Sequence, residues 1–325
     1  MVIAPVRSRV GTRQMTVSTK AIVSAALVAP LFAFASPARA GVGDLLVAPT
    51  RIILDGRRGA EVVLNNIGDE PATYRVSVEF RRMTPEGNLE DVTDPTASDK
   101  AAADMIIFAP RRVTLAPHEP QAIRIAARPP EGLSDGEYRV HMLFRAIPPA
   151  TPVVQPAAAT TEQKGLRFQL TPIYGVTIPV IVRLGNLQAT AGIAGVHLDK
   201  GKDGAPAVAL DLTRSGSRST FGEVRVLKAG VKDPVALQKA VAVYTEIGTR
   251  HVSVPVADPA LETKSPAELV TIARQMGIEG ASGMSKQDLV SAILRARVVG
   301  PVTVQYVETS DDGSHVIAET QAVLR

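Results

Sequence analysis

IIFAPRRVTLAPHEPQAIRI, residues 106–125, is the stretch that decides the fold of the first half of this chain. Apolar and polar side chains alternate through IIFA, RRVTL and QAIRI, and a period of two puts every second side chain on one face of a strand. Pro110 stands between the first two runs. It has no backbone N–H to give to a ladder, so the stretch predicts two strands, or an edge strand that changes partners.

The same rhythm continues on both sides. LLVAPTRIIL (45–54), AEVVLNN (60–66), ATYRVSVEF (72–80), EYRVHMLF (137–144) and LRFQLTPIYGVTIPVIV (166–182) are further runs, separated by Gly, Pro, Asn and Asp. About seven strands spaced in this way predict an immunoglobulin-like sandwich over 41–184. A second strand-rich region, 185–325, includes AVALDLTR (207–214), EVRVLKA (223–229), KAVAVYTEI (239–247), RHVSVPV (250–256), PVTVQYVE (301–308) and HVIAETQAVL (315–324). Asp312-Gly313 between the last two is a hairpin turn signal. The fold class expected is all-β: two immunoglobulin-like β-sandwich domains, with a small α-helical hairpin inserted in the second.

That insertion is read at 258–298, where the period becomes helical. Ser265-Pro266-Ala267-Glu268 supplies an N-cap, a first-turn proline and a capping-box glutamate, and Leu269, Ile272, Ala273 and Met276 follow on one face. Gly277 is a natural stop. A second helix begins at Ser285, with Asp288 three residues on and Leu289, Ala292, Ile293 and Ala296 as its apolar face.

Residues 1–40 read as an export signal: Arg7, Arg9, Arg13 and Lys20, then the apolar run AIVSAALVAPLFAFA, then Ala38-Arg39-Ala40 as a cleavage site. Either Met1 or Met15 serves as a start for that signal. The apolar run is about 15 residues and carries Pro30, short of the roughly 20 that a membrane span needs. Five of the 36 basic residues belong to this segment, which leaves 31 basic against 32 acidic after it. A balanced mature chain has no electrostatic bias towards nucleic acid or anionic membranes. There is no cysteine, so no disulfide, thiolate metal site or thiol nucleophile. Residues 148–165, rich in Pro and Ala, read as a mobile loop.

His118, His141, His197, His251 and His315 are scattered, without metal-ligand spacing, and read as ordinary surface or strand histidines. GVGDLL (41–46) has two glycines but not a dinucleotide fingerprint, and Asp311-Asp312 reads as a turn rather than a calcium loop. No cofactor, metal or catalytic group is expected.

Five segments, in order, resemble the periplasmic chaperones that assemble pili and fimbriae. They are LVAPTRIIL, LNNIGDEPATYRV, the P-x-R-x-x-L-x-P-x-x-x-x-x-x-R pattern on Pro110, Arg112, Leu115, Pro117 and Arg124, GEYRVHMLFRAIPP, and LRFQLTPIYGVTIPVIVR. The resemblance implies a periplasmic, non-enzymatic protein that lends a strand to an exported pilin-like or surface subunit, with an outer-membrane usher as a further partner. Main-chain hydrogen bonds attach such a strand, and alternate side chains fill the open core of the partner. The corresponding positions are Leu166, Phe168 and Leu170, continued by Pro172 or Ile173. Residues that fill this chain's own sandwich would show the same alternation.

The family also holds the subunit's terminal carboxylate on two basic residues. Arg51 matches the first. Pro179 stands where the second, a lysine, is expected, and Arg183 is the nearest substitute. KSPAELVTIARQMGIEGASGMSKQDLVSAIL (264–294) is similar to the N-terminal helical module of transcription terminator Rho. Its charges are mixed, which favours a surface ornament or a protein dock over nucleic acid. A tandem-immunoglobulin envelope protein with no client is the competing reading for the whole chain.

Overall fold

The computed structural model describes residues 44–148, 173–201, 204–310 and 313–325. The expected export signal, Leu166, Phe168, Leu170 and Pro172, nearly all of the 148–165 loop, and Asp311-Asp312 lie outside the described residues.

Two facing sheets make the first sandwich. In one, β1 (Leu45–Ala48), β3 (Ala60–Asn66), β9 (Pro120–Ala127) and β7 (Ile106–Ala109) run in the order β1-β3-β9-β7. In the other, β2 (Ile52–Leu54), β11 (Gly175–Leu184), β10 (Gly136–Ile147), β4 (Ala72–Glu79) and β8 (Arg112–Leu115) run in the order β2-β11-β10-β4-β8. Two prolines mark where the chain changes sheets. LLVAPTRIIL, expected as one run, divides at Pro49 into β1 and β2, and the chain divides again at Pro110 into β7 and β8.

Alternation decides what is buried. Val62, Leu64, Ile123 and Ile125 point inward from one sheet, and Tyr74, Met142, Phe144, Ile178 and Val180 from the other. The buried polar Asn66 is fully used. Its amide donates to the carbonyls of Glu70 (2.8 Å), Leu115 (3.2 Å) and Ala116 (3.2 Å), and its oxygen accepts the Gly68 N–H at 3.0 Å.

Three elements of this sandwich were not anticipated. β5 (Arg81–Met83) and β6 (Leu89–Asp91) form a short hairpin, and α1 (Ala97–Met105) precedes β7. Thr96 and Asp99 close a capping box at the start of α1, a signal legible in the sequence.

The second sandwich packs β12 (Ala189–Lys200), β13 (Pro206–Gly216) and β16 (Thr249–Pro255) against a sheet of four strands. These are β15 (Ala236–Val243), β14 (Thr220–Leu227), β17 (Gly300–Ser310) and β18 (Gly313–Leu324), in the order β15-β14-β17-β18. Val208, Leu212, Val224, Val254, Val304 and Tyr306 lie at its centre. β14 needs a glycine at 222: a Cβ there would fall 1.9 Å from the Val307 carbonyl oxygen.

Between β16 and β17 the chain forms α2 (Pro259–Glu262), α3 (Pro266–Gln275), a 3-10 turn at Ala281–Gly283, and α4 (Lys286–Val298). Ser265 and Glu268 make the expected capping box, and Ser285 caps α4. Leu261, Leu269, Ala273, Leu289, Ile293 and Val298 belong to the same core as the sandwich, so the insertion is part of that core rather than an ornament. The expected apolar faces need correction. Met276 is exposed and Ala292 and Ala296 are half-buried, while Val290 and Leu294 are buried, because α4 packs against α3 and β13 together. Lys228 donates to the carbonyls of Arg297 and Val299, both at 2.8 Å, placing a cation at the negative end of α4.

Candidate functional site

The two sandwiches meet on one face of β10 and β11. Along β11, Ile178, Val180 and Val182 enter the first core, so Pro179, Ile181 and Arg183 point the other way. Ile181 there joins Met83 of the β5–β6 hairpin and Ala242 and Tyr244 of the second sandwich in a small apolar cluster. The register places His141 beside Pro179, Arg139 beside Ile181 and Glu137 beside Arg183. On the far side, β2 runs parallel to β11 with Ile52 paired to Val180; one residue earlier, Arg51 falls alongside Pro179. His141 and Pro179 are thus paired across two strands, and Arg51 stands just before the third.

Arg183 does not stand free. Its Nε donates to Glu137 Oε2 at 3.0 Å and its Nη2 to the Ser219 carbonyl at 3.0 Å. Glu137 Oε2 also accepts the Ser219 N–H and hydroxyl, each at 2.9 Å. Arg218, next to Ser219, meets Glu308 through two hydrogen bonds of 2.5 and 2.9 Å. Arg183 is thus a tie between sandwiches, with its charge already answered.

Arg139 and Glu246 make a second tie, by hydrogen bonds of 3.0 and 2.5 Å, with the Arg139 guanidinium 3.8 Å above the Tyr244 ring. Glu246 also accepts the Met83 N–H at 2.8 Å. Burial acts to raise its carboxyl pKa, but the hydrogen bonds and charge of Arg139, with the Met83 N–H, outweigh this and hold it below the ordinary value. The unanticipated hairpin completes the junction: the His251 N–H donates to the Pro85 carbonyl at 2.7 Å, and Gly87 lies against Arg250, where a Cβ would be 2.4 Å from Nε.

Several side-chain atoms in this junction are buried without a partner, Glu137 Oε1, Arg139 Nε and Arg250 Nε among them, and two side chains stand out. Arg51 lies 4.7 Å over the Phe221 ring and gives Nη2 to Ser219 Oγ at 3.4 Å, but its Nε and Nη1 are buried without a partner. Burial lowers its pKa; Tyr244 partly offsets this and Arg183 adds to it. The guanidinium stays charged at any ordinary pH. His141 is the second. Read from the sequence as an ordinary surface or strand histidine, it is a strand residue but only 1% exposed, and neither ring nitrogen has a partner. Burial, with the charges of Arg139 and Arg81, pushes its pKa down to about 3, so the ring is neutral.

Beside this row runs an open strand edge. β11 is paired with β10 from Gly175 onward, but β2 covers its other edge only at Val180–Val182. Among the described residues, Gly175–Pro179 has no ladder partner on that side. Ile173, expected to continue a donor strand, precedes β11 and is 46% exposed, and Tyr174 is 50% exposed. The arrangement offers a free strand edge that ends beside an unpaired cation. Among the described residues no cluster of His, Cys, Asp and Glu is placed to hold a metal.

Two immunoglobulin-like sandwiches joined through a polar, arginine-rich junction define the class of protein. One family model matches the chain, that of the Rho termination factor N-terminal domain, over residues 260–298, which is the helical insertion. No curated protein matches. Among solved structures the chain is similar to the YadV chaperone, at 13% identity over 86% of this chain and 100% of that one, with a TM-score of 0.41. It is similar to the CupB2 chaperone of Pseudomonas aeruginosa at 10% identity, over 86% of this chain and 100% of that one, with a TM-score of 0.39. It is similar to the E. coli chaperone DraB at 14% identity, over 88% of this chain and 99% of that one, with a TM-score of 0.40. These likenesses are distant.

Proposed function

We propose that this chain is a non-enzymatic periplasmic chaperone that holds an exported pilin-like or surface subunit by strand addition along β11, with the subunit's terminal carboxylate on Arg51. The observation that carries this reading is the uncovered edge at Gly175–Pro179 near Arg51, a half-buried side chain without an ion-pair partner whose Nε and Nη1 are buried and idle. A free edge is a template for another strand, and a protein that keeps one uncovered risks aggregation unless a partner fills it. A guanidinium with two buried, idle nitrogens is costly, and a carboxylate offsets that cost by meeting it bidentately. Leu166, Phe168, Leu170 and Ile173 are the side chains proposed to enter the subunit. Arg183, bound to Glu137 and Ser219, is not proposed as a second anchor.

The test is co-expression with the exported subunits encoded beside the gene. The expected result is a stoichiometric complex that survives purification, is lost on Arg51→Ala, and is lost on Phe168→Asp or Leu170→Asp while the free chaperone still melts normally. A wild-type chain that purifies without any client, or variants that bind as well as wild type, would overturn the proposal in favour of an envelope protein with no client.

A further inference from the structure

We infer that the outer face of the first sandwich carries a docking site for an acidic peptide segment of a partner protein, built on a row of three arginines, Arg112, Arg75 and Arg145. β8, β4 and β10 lie side by side, and their registers set Arg112 opposite Arg75 and Arg75 opposite Arg145. Residues directly opposite in antiparallel strands put their side chains on one face, about 5 Å apart. Val113, Tyr74, Val76 and Phe144 point into the core from the same strands, so the three arginines stand on the outer face, and all are exposed. Among the described residues none of them has a hydrogen-bond or ion-pair partner. The flanking rows, Thr114–Thr73–Ile147 and Ser77–Leu143–Thr177, hold no acid. Like charges set opposite one another oppose folding, so three in a row without a counter-charge are complementary to one supplied from outside.

A groove of about 340 Å³ opens beside the row. Arg75 and Arg111 line it with Val76, Ala103, Ile106 and Phe108, and the Arg111 guanidinium lies 5.1 Å over the Phe108 ring. Two strand edges border it. β8 covers β4 only at Ala72–Arg75, the Val76 N–H then donates to the Arg111 carbonyl at 2.9 Å, and Val78 beyond has no ladder partner on that side among the described residues. β7, which supplies Ile106 and Phe108, is the last strand of its sheet. Free main-chain groups are answered by another main chain, an apolar wall by a bulky side chain, and a row of guanidinium groups by carboxylates. A phosphate polymer supplies only anions, whereas an acidic peptide with an apolar residue supplies all three. Neither the row nor the groove includes Arg51, so this site does not depend on the carboxylate anchor.

A fluorescein-labelled peptide of sequence EEEFEEE is the probe, titrated into the intact chain by fluorescence anisotropy, with QQQFQQQ and EEEGEEE as controls and inorganic polyphosphate as a competing anion. EEEFEEE should bind, less tightly as salt is raised, and neither control should match it. Arg75→Gln combined with Arg145→Gln should weaken binding about tenfold, the loss expected on removing hydrogen bonds between charged groups, while Arg58→Gln, outside the row, should leave it unchanged. Removing opposed like charges relieves repulsion, so the double variant should melt no lower than wild type; if it does melt lower, Arg112→Gln alone decides. The inference is overturned if the variants bind as tightly as wild type, if either control binds as tightly as EEEFEEE, or if polyphosphate binds and EEEFEEE does not.

Discussion

One carboxylate oxygen of Glu137, in the first sandwich, accepts both the amide and the hydroxyl of Ser219, in the second, each at 2.9 Å. The same oxygen takes Arg183 Nε at 3.0 Å, and the Glu137 side chain is only 1% exposed. A carboxylate of one sandwich is therefore built into the other. Removing it should leave the half-buried Arg183 without its counter-charge and Ser219 without its acceptor, so Glu137→Ala is expected to cost about 2 to 3 kcal/mol. Urea unfolding measures this; a loss below about 1 kcal/mol would show that the junction contributes little to stability.

Glu246 should make the junction acid-sensitive. Its folded carboxyl lies below the ordinary value of 4.5, so its contribution is fully present above that pH and is lost as pH falls through the lower folded value. Unfolding midpoints taken from pH 7 down to pH 3 should decline more steeply for wild type than for Glu246→Gln. Parallel curves would assign the acid response to other carboxylates.

Asn66 should be worth far more than its size. Asn66→Ala leaves the carbonyls of Glu70, Leu115 and Ala116 without that donor and the Gly68 N–H without its acceptor, at an expected cost of about 2 to 3 kcal/mol. Differential scanning calorimetry would register this as a lower Tm, and an unchanged Tm would mean that the turn is held by other contacts.

The helical insertion should melt with the second sandwich and not before it. Leu289 and Ile293 are fully buried in the shared core, so Leu289→Ala is expected to destabilise by about 2 to 5 kcal/mol. Native-state hydrogen exchange should show amides of α4 and β13 losing protection together. Loss from α4 alone would separate the insertion from the core.

Much of the first sandwich was legible because its signals are local. A period of two at 60–66, 72–80 and 121–127 reflects strands with one face buried, and Pro110 breaks a strand by its own chemistry. Pro49 has the same chemistry, but its run reads as continuous because apolar residues stand on both sides. α1 was missed although Thr96 and Asp99 carry a capping signal, because its helix is short and alanine-rich with a weak apolar face. The face of α4 was misjudged because it answers to two neighbours at once, and helical period reports only one stripe.

The candidate site divides in the same way. Arg51 was picked out by resemblance, and the resemblance also drew attention to Pro179. The ties of Glu137, Ser219 and Glu246 could not be read along the chain, because the paired residues stand 36 to 163 positions apart, and the unpaired state of His141 depends on packing just as remote in sequence. No periodicity encodes a pairing of that separation. The amino-acid sequence by itself determined strand alternation, the proline breaks, the capping boxes and the absence of cysteine, each of which depends on a residue and its near neighbours. Only the tertiary structure decided which arginines are answered and which are not. Whether a buried charge has a partner depends on atoms a few ångströms away in space, brought there by the packing of two sandwiches on one strand face.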